Sequence, residues 1–475
     1  MGIFLNPGNE GFQSALNSQI YIDKTQMLEY TNSVLDSEQR YICVSRPRRF
    51  GKSITAEMLA AYYDKSCDSE ALFQNYKIAS SRHFHDHLNK YDVIHIDINT
   101  FRNVAGSPAN IVQKIQQAVM EELNECYPGC IPKVHSMAHA PMGQMDFIRE
   151  DITSQASLQS ALANIHKVKG SKFVIIIDEW DALFREMKED TKIQKEYIDF
   201  LRGLFKSSWT DIIFEAAYMT GILPIKKYGN QSAVSDFREY TMITPKKLAE
   251  FVGFTEEEVQ RLCKEYSVDF EEMKRWYDGY SFSKIKSIYS PNSVIEAVTN
   301  EEFGNYWTQS ETYESLRIYI EMNQDGLKES IVQMLGGAYV KVDVAAFQND
   351  MTTIKNKDDV LTLLIHLGYL AYDFDSKSVY IPNEEVREEF VRAVTTGKHT
   401  ELAKLIRNSA HLLEATLNMD GEIVAKAIEK AHQAGTAPTF YNNEQALRSV
   451  IRFAYLSCVD EYFRIDELPS GHGYA

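Results

Sequence analysis

The sequence has no apolar run long enough to cross a membrane. Its longest apolar candidate, Phe173–Ile177, has the length of a buried strand, whereas a membrane helix needs about 20 residues. The N-terminus also lacks the basic start and long apolar core of a signal peptide. We therefore expect a protein of the cytoplasm with no membrane partner.

Cysteine is scarce, and acidic residues outnumber basic ones by 67 to 50. Six cysteines are scattered over 475 residues, which excludes a disulfide framework and favours a reducing compartment. The net charge of −17 argues against a protein coated in nucleic acid, although a local basic channel remains compatible with it.

The first glycine of a phosphate-binding loop is missing as well. The pattern G-x-x-x-x-G-K-[ST] requires glycine where the stretch SRPRRFGKS has Arg46. Gly51 still lets the backbone approach phosphate, Lys52 supplies a cation for the β and γ oxygens, and Ser53 supplies a hydroxyl for Mg²⁺. The candidate nucleotide-binding residues are Arg46, Pro47, Arg48, Arg49, Phe50, Gly51, Lys52, Ser53 and Ile54.

Alternatives to this interpretation stay open. The stretch could be a chance basic loop, and its arginines could contact phosphate, pair with acids or face a partner. The context favours a nucleotide site, because a short apolar strand over 41–45 precedes the loop. Ile54, Met58, Leu59 and Tyr62 then recur at helical spacing and predict a helix from Ser53 to about Tyr63.

A second acidic element strengthens the hypothesis. The strand over 172–177 ends in Asp178 and Glu179, the Walker B form, in which the first acid holds Mg²⁺ with Ser53 and the second polarises the attacking water. The alternative is a strand-end turn with solvated acids. Thr220, after a strand over 212–219, is a candidate sensor of the γ-phosphate, or simply a turn residue.

Strands alternate with helices up to about residue 245, which predicts a parallel α/β sheet. Further strands and helices are predicted at 92–97, 108–125, 157–167 and 190–206. Beyond 245 the segment to about 330 is mostly helical, with Thr255 and Glu258 in capping-box positions. Residues 358–395 read as helix, hairpin and helix, a winged-helix-like order.

An aromatic turn, WYDGY, occupies residues 276–280. We interpret it as a packed turn in which Gly279 takes a special φ and Asp278 bonds nearby backbone. A surface that stacks nucleic acid or adenine is the alternative.

Six motifs together resemble the bacterial AAA-ATPase-like family, whose members usually carry a C-terminal PD-(D/E)XK nuclease-like domain. They occur in the family's order: YIDKT, RPRRFGKS, IIDEWD, TGIL, EFVGFTEEEV and WYDGYSF. The resemblance covers essentially the whole chain and implies that Arg46 is the family's own form of the loop. It also implies a P-loop NTPase sheet with helices on both faces, and the roles given above for Lys52, Ser53, Asp178 and Glu179. Trp180 replaces the family's usual tyrosine.

The resemblance divides the chain into four parts. They are a P-loop domain over 1–245, a helical module over 246–330, a winged-helix-like module over 331–395 and an incomplete nuclease-like domain over 396–475. In the last part Glu467 and SGHGYA match the start of the nuclease motif, but its later Asp and E-x-K are absent. Glu444 is the other candidate acid. We expect no nuclease activity, and a shortened chain or gene fragment as the reason.

The main functional hypothesis is Mg-ATP binding with slow hydrolysis, used as a conformational switch. The alternatives are an ATP-binding interaction module with negligible turnover, and part of a DNA-processing nuclease. Besides ATP, the partners considered are DNA, through the C-terminal region, and a second copy of the chain.

Overall fold

The structure is a computed structural model, and the residues it describes fall into several ranges. They are 2–104, 110–131, 157–206, 209–225, 227–228, 231–232, 234, 236–282, 284–307, 313–321, 326–345, 347, 354, 356–396, 400–435, 451 and 454–455. Glu444 and Glu467 lie outside them.

The chain divides into two compact units. The first comprises Met1–Val259, Phe347–Ile354 and His366–Gly368, and the second comprises Gln260–Ala346, Lys355–Ile365 and Tyr369–Ala475. The four-part division remains a prediction.

The first unit is built on a five-stranded sheet. The strands of this unit are β1 (Tyr41–Ser45), β2 (Asp92–Asp97), β3 (Phe173–Asp178), β4 (Phe214–Gly221), the short pair β5 (Lys227–Tyr228) and β6 (Gln231–Ser232), β7 (Arg238–Tyr240) and β8 (Phe254–Thr255). Five of them form the sheet. The sheet has the order β2-β3-β4-β1-β7, and every neighbouring pair within it is parallel. The predicted parallel α/β architecture is therefore confirmed.

Helices surround this sheet. They are α1 (Glu10–Leu16), α2 (Met27–Val34), α3 (Lys52–Tyr63), α4 (Glu70–Phe73), α5 (Phe84–His87), α6 (Ile98–Val104), α7 (Ile111–Cys126), α8 (Leu158–Lys169), α9 (Ala182–Glu186), α10 (Thr191–Phe205) and α11 (Thr210–Ile213). Short 3-10 turns lie at Lys77–Ser80 and Lys246–Leu248.

Apolar side chains leave both faces of the sheet because successive residues of a strand point to opposite sides. Cys43, Ile175 and Met219 pack into one core cluster together with the apolar faces of α7, α8 and α10. The opposite face, represented by Ile42 and Ile176, lies against residues of α2 and α3. Helices thus cover both faces, as predicted.

Two local predictions need correction. The strand predicted over 212–219 is displaced to Phe214–Gly221, because Thr210–Ile213 completes a helical turn first. Ile54 does not share the buried face of α3: it is 47% exposed, whereas Met58 and Leu59 are buried. Lys52 and Thr55 of the same turn are buried, so Ile54 lies on the outer side of the helix.

The N-terminal segment protects the edge strand β2. Leu5 bridges antiparallel to Ile94, and the N–H of Asn6 donates to the carbonyl of Val93 at 2.7 Å. The Glu122 carboxylate accepts the N–H groups of residues 3, 4 and 5 at 2.7–2.9 Å. The exposed edge of a sheet would otherwise offer unpaired backbone groups to another chain.

The predicted capping box is present. The carboxylate of Glu258 accepts the N–H of Thr255 at 2.9 Å, and the Thr255 hydroxyl accepts the N–H of Glu258 at 3.4 Å. Glu258 also forms a salt bridge of 2.6 Å with Lys24, which links the YIDKT segment to this helix start.

The second unit is mainly helical. Its helices are α12 (Glu256–Tyr266, which begins in the first unit), α13 (Phe270–Tyr277), α14 (Pro291–Asn300), α15 (Tyr313–Glu321), α16 (Leu327–Leu335), α17 (Lys357–Leu367), α18 (Glu384–Thr396), α19 (Thr400–Leu417) and α20 (Gly421–Gly435). Its strands are β9 (Tyr280–Phe282), β10 (Ile285–Tyr289), β11 (Val340–Lys341), β12 (Ala371–Asp373) and β13 (Ser378–Tyr380).

The helix-hairpin-helix order of the second unit is confirmed by α17, the antiparallel pair β12–β13 and α18. The antiparallel hairpin β9–β10 was not anticipated within the segment predicted to be mostly helical. None of the helices in the described part of the chain is long and apolar enough to cross a bilayer.

A buried carboxylate predicts how the stability of the second unit depends on pH. The side chain of Glu385 accepts the N–H groups of Tyr306 and Trp307 and the hydroxyl of Ser293, each at 2.9 Å. Burial raises the pKa of Glu385 to about 8, against the lowering effect of these hydrogen bonds. On unfolding the group regains its ordinary lower pKa, so unfolding releases a proton between these two values. Stability therefore falls as the pH rises through that window and levels off above about 8.

Glu385→Gln should flatten this slope, because glutamine keeps an acceptor for both N–H groups and carries no charge. We expect the variant to be more stable than the wild type at pH 8, by on the order of 3 kcal/mol, and close to it at pH 5. Chemical denaturation at both pH values measures this, with Glu388→Gln on the same helix as control. A pH slope that Glu385→Gln leaves unchanged would contradict the prediction.

Candidate functional site

The loop between β1 and α3 has the backbone of a phosphate cradle. Gly51 has φ of +85° and Arg49 has φ of +61°, so two residues of the loop adopt the left-handed backbone conformation before the helix begins at Lys52. No side chain caps this end of α3. Its first N–H groups, together with the helix dipole, are therefore available to an anion.

Lys52 lies across this loop with its side chain buried. Its Nζ donates to the carbonyl of Pro47 at 3.0 Å and lies 3.7 Å from Oε1 of Glu179. Burial lowers the pKa of Lys52, while the charges of Glu179, Asp178 and Asp181 act in the opposite direction. A buried lysine surrounded by acids is a preformed cation at the mouth of the loop.

Asp178 and Ser53 bring two hard oxygen donors together. Burial raises the pKa of Asp178, and a hydrogen bond from the Ser53 side chain acts in the opposite direction. Asp97, paired with Asp178 in the β2–β3 register, raises it further. Oxygen donors with excess negative charge suit Mg²⁺, so these residues fit the ion that the loop implies.

Glu179 follows directly and occupies an unusual backbone conformation, with φ of +50°. A non-glycine residue in this region is uncommon and is held there by its surroundings. Its carboxylate lies between two cations, with Oε1 towards Lys52 and Oε2 bonded to a guanidinium N–H of Arg185. Burial raises the pKa of Glu179, and the charges of Lys52 and Arg185 lower it.

Arg46, at the position of the missing glycine, is fully buried. Its guanidinium donates to the carbonyls of Ser45 and Tyr240 at 2.9 and 3.0 Å, and its own N–H donates to the carbonyl of Gly221 at 3.0 Å. Burial lowers its pKa to about 10. These contacts support a structural role in which Arg46 ties β1, β4 and β7 together, rather than a side chain that points at phosphate.

The other candidates of the loop differ in exposure. Pro47 and Phe50 are buried, whereas Arg49, Ser53 and Ile54 are exposed at the start of α3.

Arg48 and Thr220 are placed in contrasting ways. Arg48 forms a salt bridge of 3.2 Å with Glu186. Thr220 is fully buried within β4, opposite Val44 of β1, and its carbonyl accepts the N–H of Trp180 at 3.0 Å. The structure thus gathers Lys52, Ser53, Asp178 and Glu179, and leaves Thr220 beneath them.

Sequence reasoning did not assign Asp181 and Arg185. Asp181 is fully buried and accepts the N–H of Leu223 at 2.8 Å and that of Ile222 at 3.2 Å. Arg185 is four residues further along and donates to Asp181 at 3.0 Å. The available signal was an acid and a base at i and i+4 directly after the Asp-Glu pair, a spacing that favours contact on a helix.

Comparisons with known proteins fit this geometry. Residues 10–229 match a family model described as predicted AAA-ATPase. An uncharacterized protein from the region 5′ of vnfD in Azotobacter chroococcum mcd 1 is 22% identical over 297 residues, which is 62% of this chain and 51% of that protein. The chain therefore spans about half the length of the curated relative it matches.

The solved structures that this chain resembles are more distant in sequence. The Walker-type ATPase of Pyrococcus abyssi has 13% identity and a TM-score of 0.37, with 77% of this chain and 94% of that chain covered. The ORC2 protein of Aeropyrum pernix, in ADPNP and ADP complexes, has 11% identity and a TM-score of 0.33, with 82% and 98% covered. Cdc6p from Pyrobaculum aerophilum has 9% identity and a TM-score of 0.26, with the same coverages of 82% and 98%.

At these TM-scores the fold assignment continues to rest on the strand order and on the loop geometry. Within this parallel α/β unit, the segment that carries the loop and the acid pair, residues 10–229, matches the predicted AAA-ATPase family.

Proposed function

We propose that the first unit binds Mg-ATP and hydrolyses it slowly, as a conformational switch. The observation that carries this proposal is the approach of Lys52 Nζ to Glu179 Oε1, at 3.7 Å, beside the hydrogen-bonded pair Ser53–Asp178. A cation, a hydroxyl and two acids from distant parts of the sequence thus meet at the carboxyl end of the sheet, which is where ligands bind in open α/β folds.

Each residue of the cradle has a role in this proposal. The backbone N–H groups from Gly51 onward and the start of α3 would bind the phosphates, and Lys52 would neutralise the β and γ oxygens. Ser53 and Asp178 would hold Mg²⁺. When bound, Mg²⁺ supplies positive charge that stabilises the phosphate oxygens in the transition state.

Glu179 would act on the nucleophile. The water oxygen attacks the γ-phosphorus, the bond from that phosphorus to the bridging oxygen breaks, and ADP leaves. Glu179 accepts a hydrogen bond from the water and orients it for this attack.

The remaining candidates have supporting roles. Arg48 and Arg49 lie on the open side of the loop and are the arginines that a phosphate could recruit, while Ile54 is exposed beside them. Thr220, near the end of β4, would sense the γ-phosphate.

Glu179→Gln tests the proposal because the substitution keeps the shape of the side chain and removes its charge. We expect turnover to fall by about 100-fold or more while Mg-ATP binding is kept. Binding and turnover should be measured on the same samples, with Glu196→Gln on the surface of α10 as control for loss of an acid. Unchanged turnover in Glu179→Gln would refute the role of Glu179.

A second candidate function is an interaction module that binds ATP with negligible turnover. The observation that favours it is that both oxygens of Glu179 face cations of the same unit, Lys52 and Arg185. These contacts compete with a hydrogen bond from the attacking water. An arginine supplied by a partner would then decide turnover. A strong rise in turnover with protein concentration, or on addition of DNA, would point to a second copy or to DNA as that partner and favour this candidate.

A further inference from the structure

Arg185 contacts Glu179, the second acid of the pair, and lies outside the predicted motifs. It lies on α9, and its side chain is 8% exposed. One guanidinium N–H donates to Oε2 of Glu179, and Nε donates to Oδ2 of Asp181 at 3.0 Å. A third contact, of 3.4 Å, reaches Glu186. The guanidinium therefore contacts three carboxylates through separate N–H groups.

Asp181 holds this guanidinium in place. Its fully buried carboxylate is fixed by the N–H groups of Ile222 and Leu223, directly after β4. The side chains of Asp181 and Trp180 pack directly against the backbone of Gly221: an added Cβ there would lie 2.4 Å from Oδ1 of Asp181 and 2.8 Å from Cδ1 of Trp180. Arg185 is thereby anchored, through Asp181, to the bend that directly follows β4.

The anchoring determines which oxygen of Glu179 is available. Arg185 takes Oε2, and Oε1 is left facing Lys52 at 3.7 Å. Since Lys52 is the residue that would contact the β and γ phosphates, Oε1 points towards the place where the attacking water must lie. A carboxylate without this contact could rotate about its last side-chain bond and present either oxygen, or neither.

We propose that Arg185 is a positioning residue that aims Oε1 of Glu179 at the attacking water. This inference rests on the proposed function, since it assigns a partner to the same carboxylate. These contacts pre-organise the Glu179 carboxylate. The N–H groups after β4 fix Asp181, Asp181 fixes Arg185, and Arg185 fixes Glu179.

Arg185→Met tests the inference. We expect kcat to fall by about 10- to 100-fold, with the Kd for Mg-ATP within about twofold of the wild type, because misplacement of a catalytic group affects the transition state and not ground-state binding. Lys195→Met on the surface of α10 is the control for loss of a long basic side chain, and it should leave both values unchanged.

A double-mutant cycle separates positioning from a general structural role. In the Glu179→Gln background Arg185→Met should cost less than about twofold in kcat, because the carboxylate that it positions is already gone. Arg185→Met leaves Asp181 buried without its cation, so Asp181→Asn with Arg185→Met is the second variant. It removes both charges, keeps an acceptor for the N–H groups of Ile222 and Leu223, and should show the same loss of kcat.

Each outcome decides between these roles. An equal loss of kcat in both backgrounds, a rise in kcat, or a loss of Mg-ATP affinity that matches the loss of kcat would overturn the positioning role. Wild-type turnover no higher than that of Glu179→Gln would refute the proposed function and this inference with it. Wild-type turnover above that level with an unchanged Arg185→Met variant would refute the inference alone.

Discussion

Lys52→Ala should weaken Mg-ATP binding by about 100-fold or more and bring turnover down to background. The Nζ group of Lys52 is already positioned by the carbonyl of Pro47 and by Glu179, so the nucleotide gains a cation without having to order it. Removing the amine leaves the β and γ oxygens facing Asp178 and Glu179, two acids that would repel them. Loss of attraction and gain of repulsion act in the same direction.

The experiment is a titration with Mg-ATP, followed by turnover on the same samples. The fold should survive the substitution, because burial already lowers the pKa of Lys52 and its charge is costly to the folded chain. Lys195→Ala is the matched control: that lysine lies on the surface of α10, paired with Asp199 at 2.9 Å, and should leave binding unchanged. A Kd for Lys52→Ala within about twofold of the wild type would contradict the phosphate-binding role of the loop.

Gly279→Ala should destabilise the second unit by roughly 2–5 kcal/mol. Gly279 has φ of +117°, a conformation that L side chains rarely adopt, and an added Cβ would lie 2.0 Å from the carbonyl oxygen of Pro382. The Pro382 oxygen belongs to the backbone and the position of the Cβ is fixed by the backbone of residue 279, so no rotamer change can relieve the clash. The Gly279 carbonyl also accepts the hydroxyl of Tyr380 at 2.8 Å, which a shifted turn would lose.

Thermal unfolding measures the effect, with a downward shift of roughly 5–15 °C expected for a domain of this size. Gly304→Ala is the control in the same unit. Nothing lies within 4 Å of a Cβ added at Gly304, and the change should stay within about 0.5 kcal/mol. Equal shifts for the two variants would contradict the packed-turn interpretation of WYDGY.

The same contacts weigh against WYDGY as a stacking surface. Tyr277 and Tyr280 are buried, and the Tyr277 hydroxyl bonds to Gly304 at 2.9 Å. Trp276 is half-buried beside the guanidinium of Arg275, at 5.5 Å. Asp278 accepts the hydroxyl of Ser287 on β10 at 2.9 Å, a side-chain contact rather than the bond to nearby backbone that the sequence predicted.

Local pattern was sufficient to predict four of the five strands of the sheet, and the short edge strand β7 (Arg238–Tyr240) was not predicted. The strands at Tyr41–Ser45, Asp92–Asp97 and Phe173–Asp178 are short apolar runs bounded by polar residues, and their observed bounds agree with the prediction to within one residue. The strand before Thr220 was displaced because isoleucines of α11 extend the apolar run backwards without belonging to β4. Apolar character alone does not distinguish a buried helical turn from a strand.

The sequence by itself determined the alternation of strands and helices up to about residue 245, and it predicted a cation, a hydroxyl and two acids for the loop, because these depend on residue type at short spacing. Only the tertiary structure decided the role of Arg46 and the link from Asp181 through Arg185 to Glu179. The guanidinium of Arg46 meets carbonyls as far away as Tyr240, and Asp181 meets N–H groups 41 and 42 residues later. Such contacts form only when parallel strands bring their carboxyl ends to one edge, and no local pattern records which residues meet there.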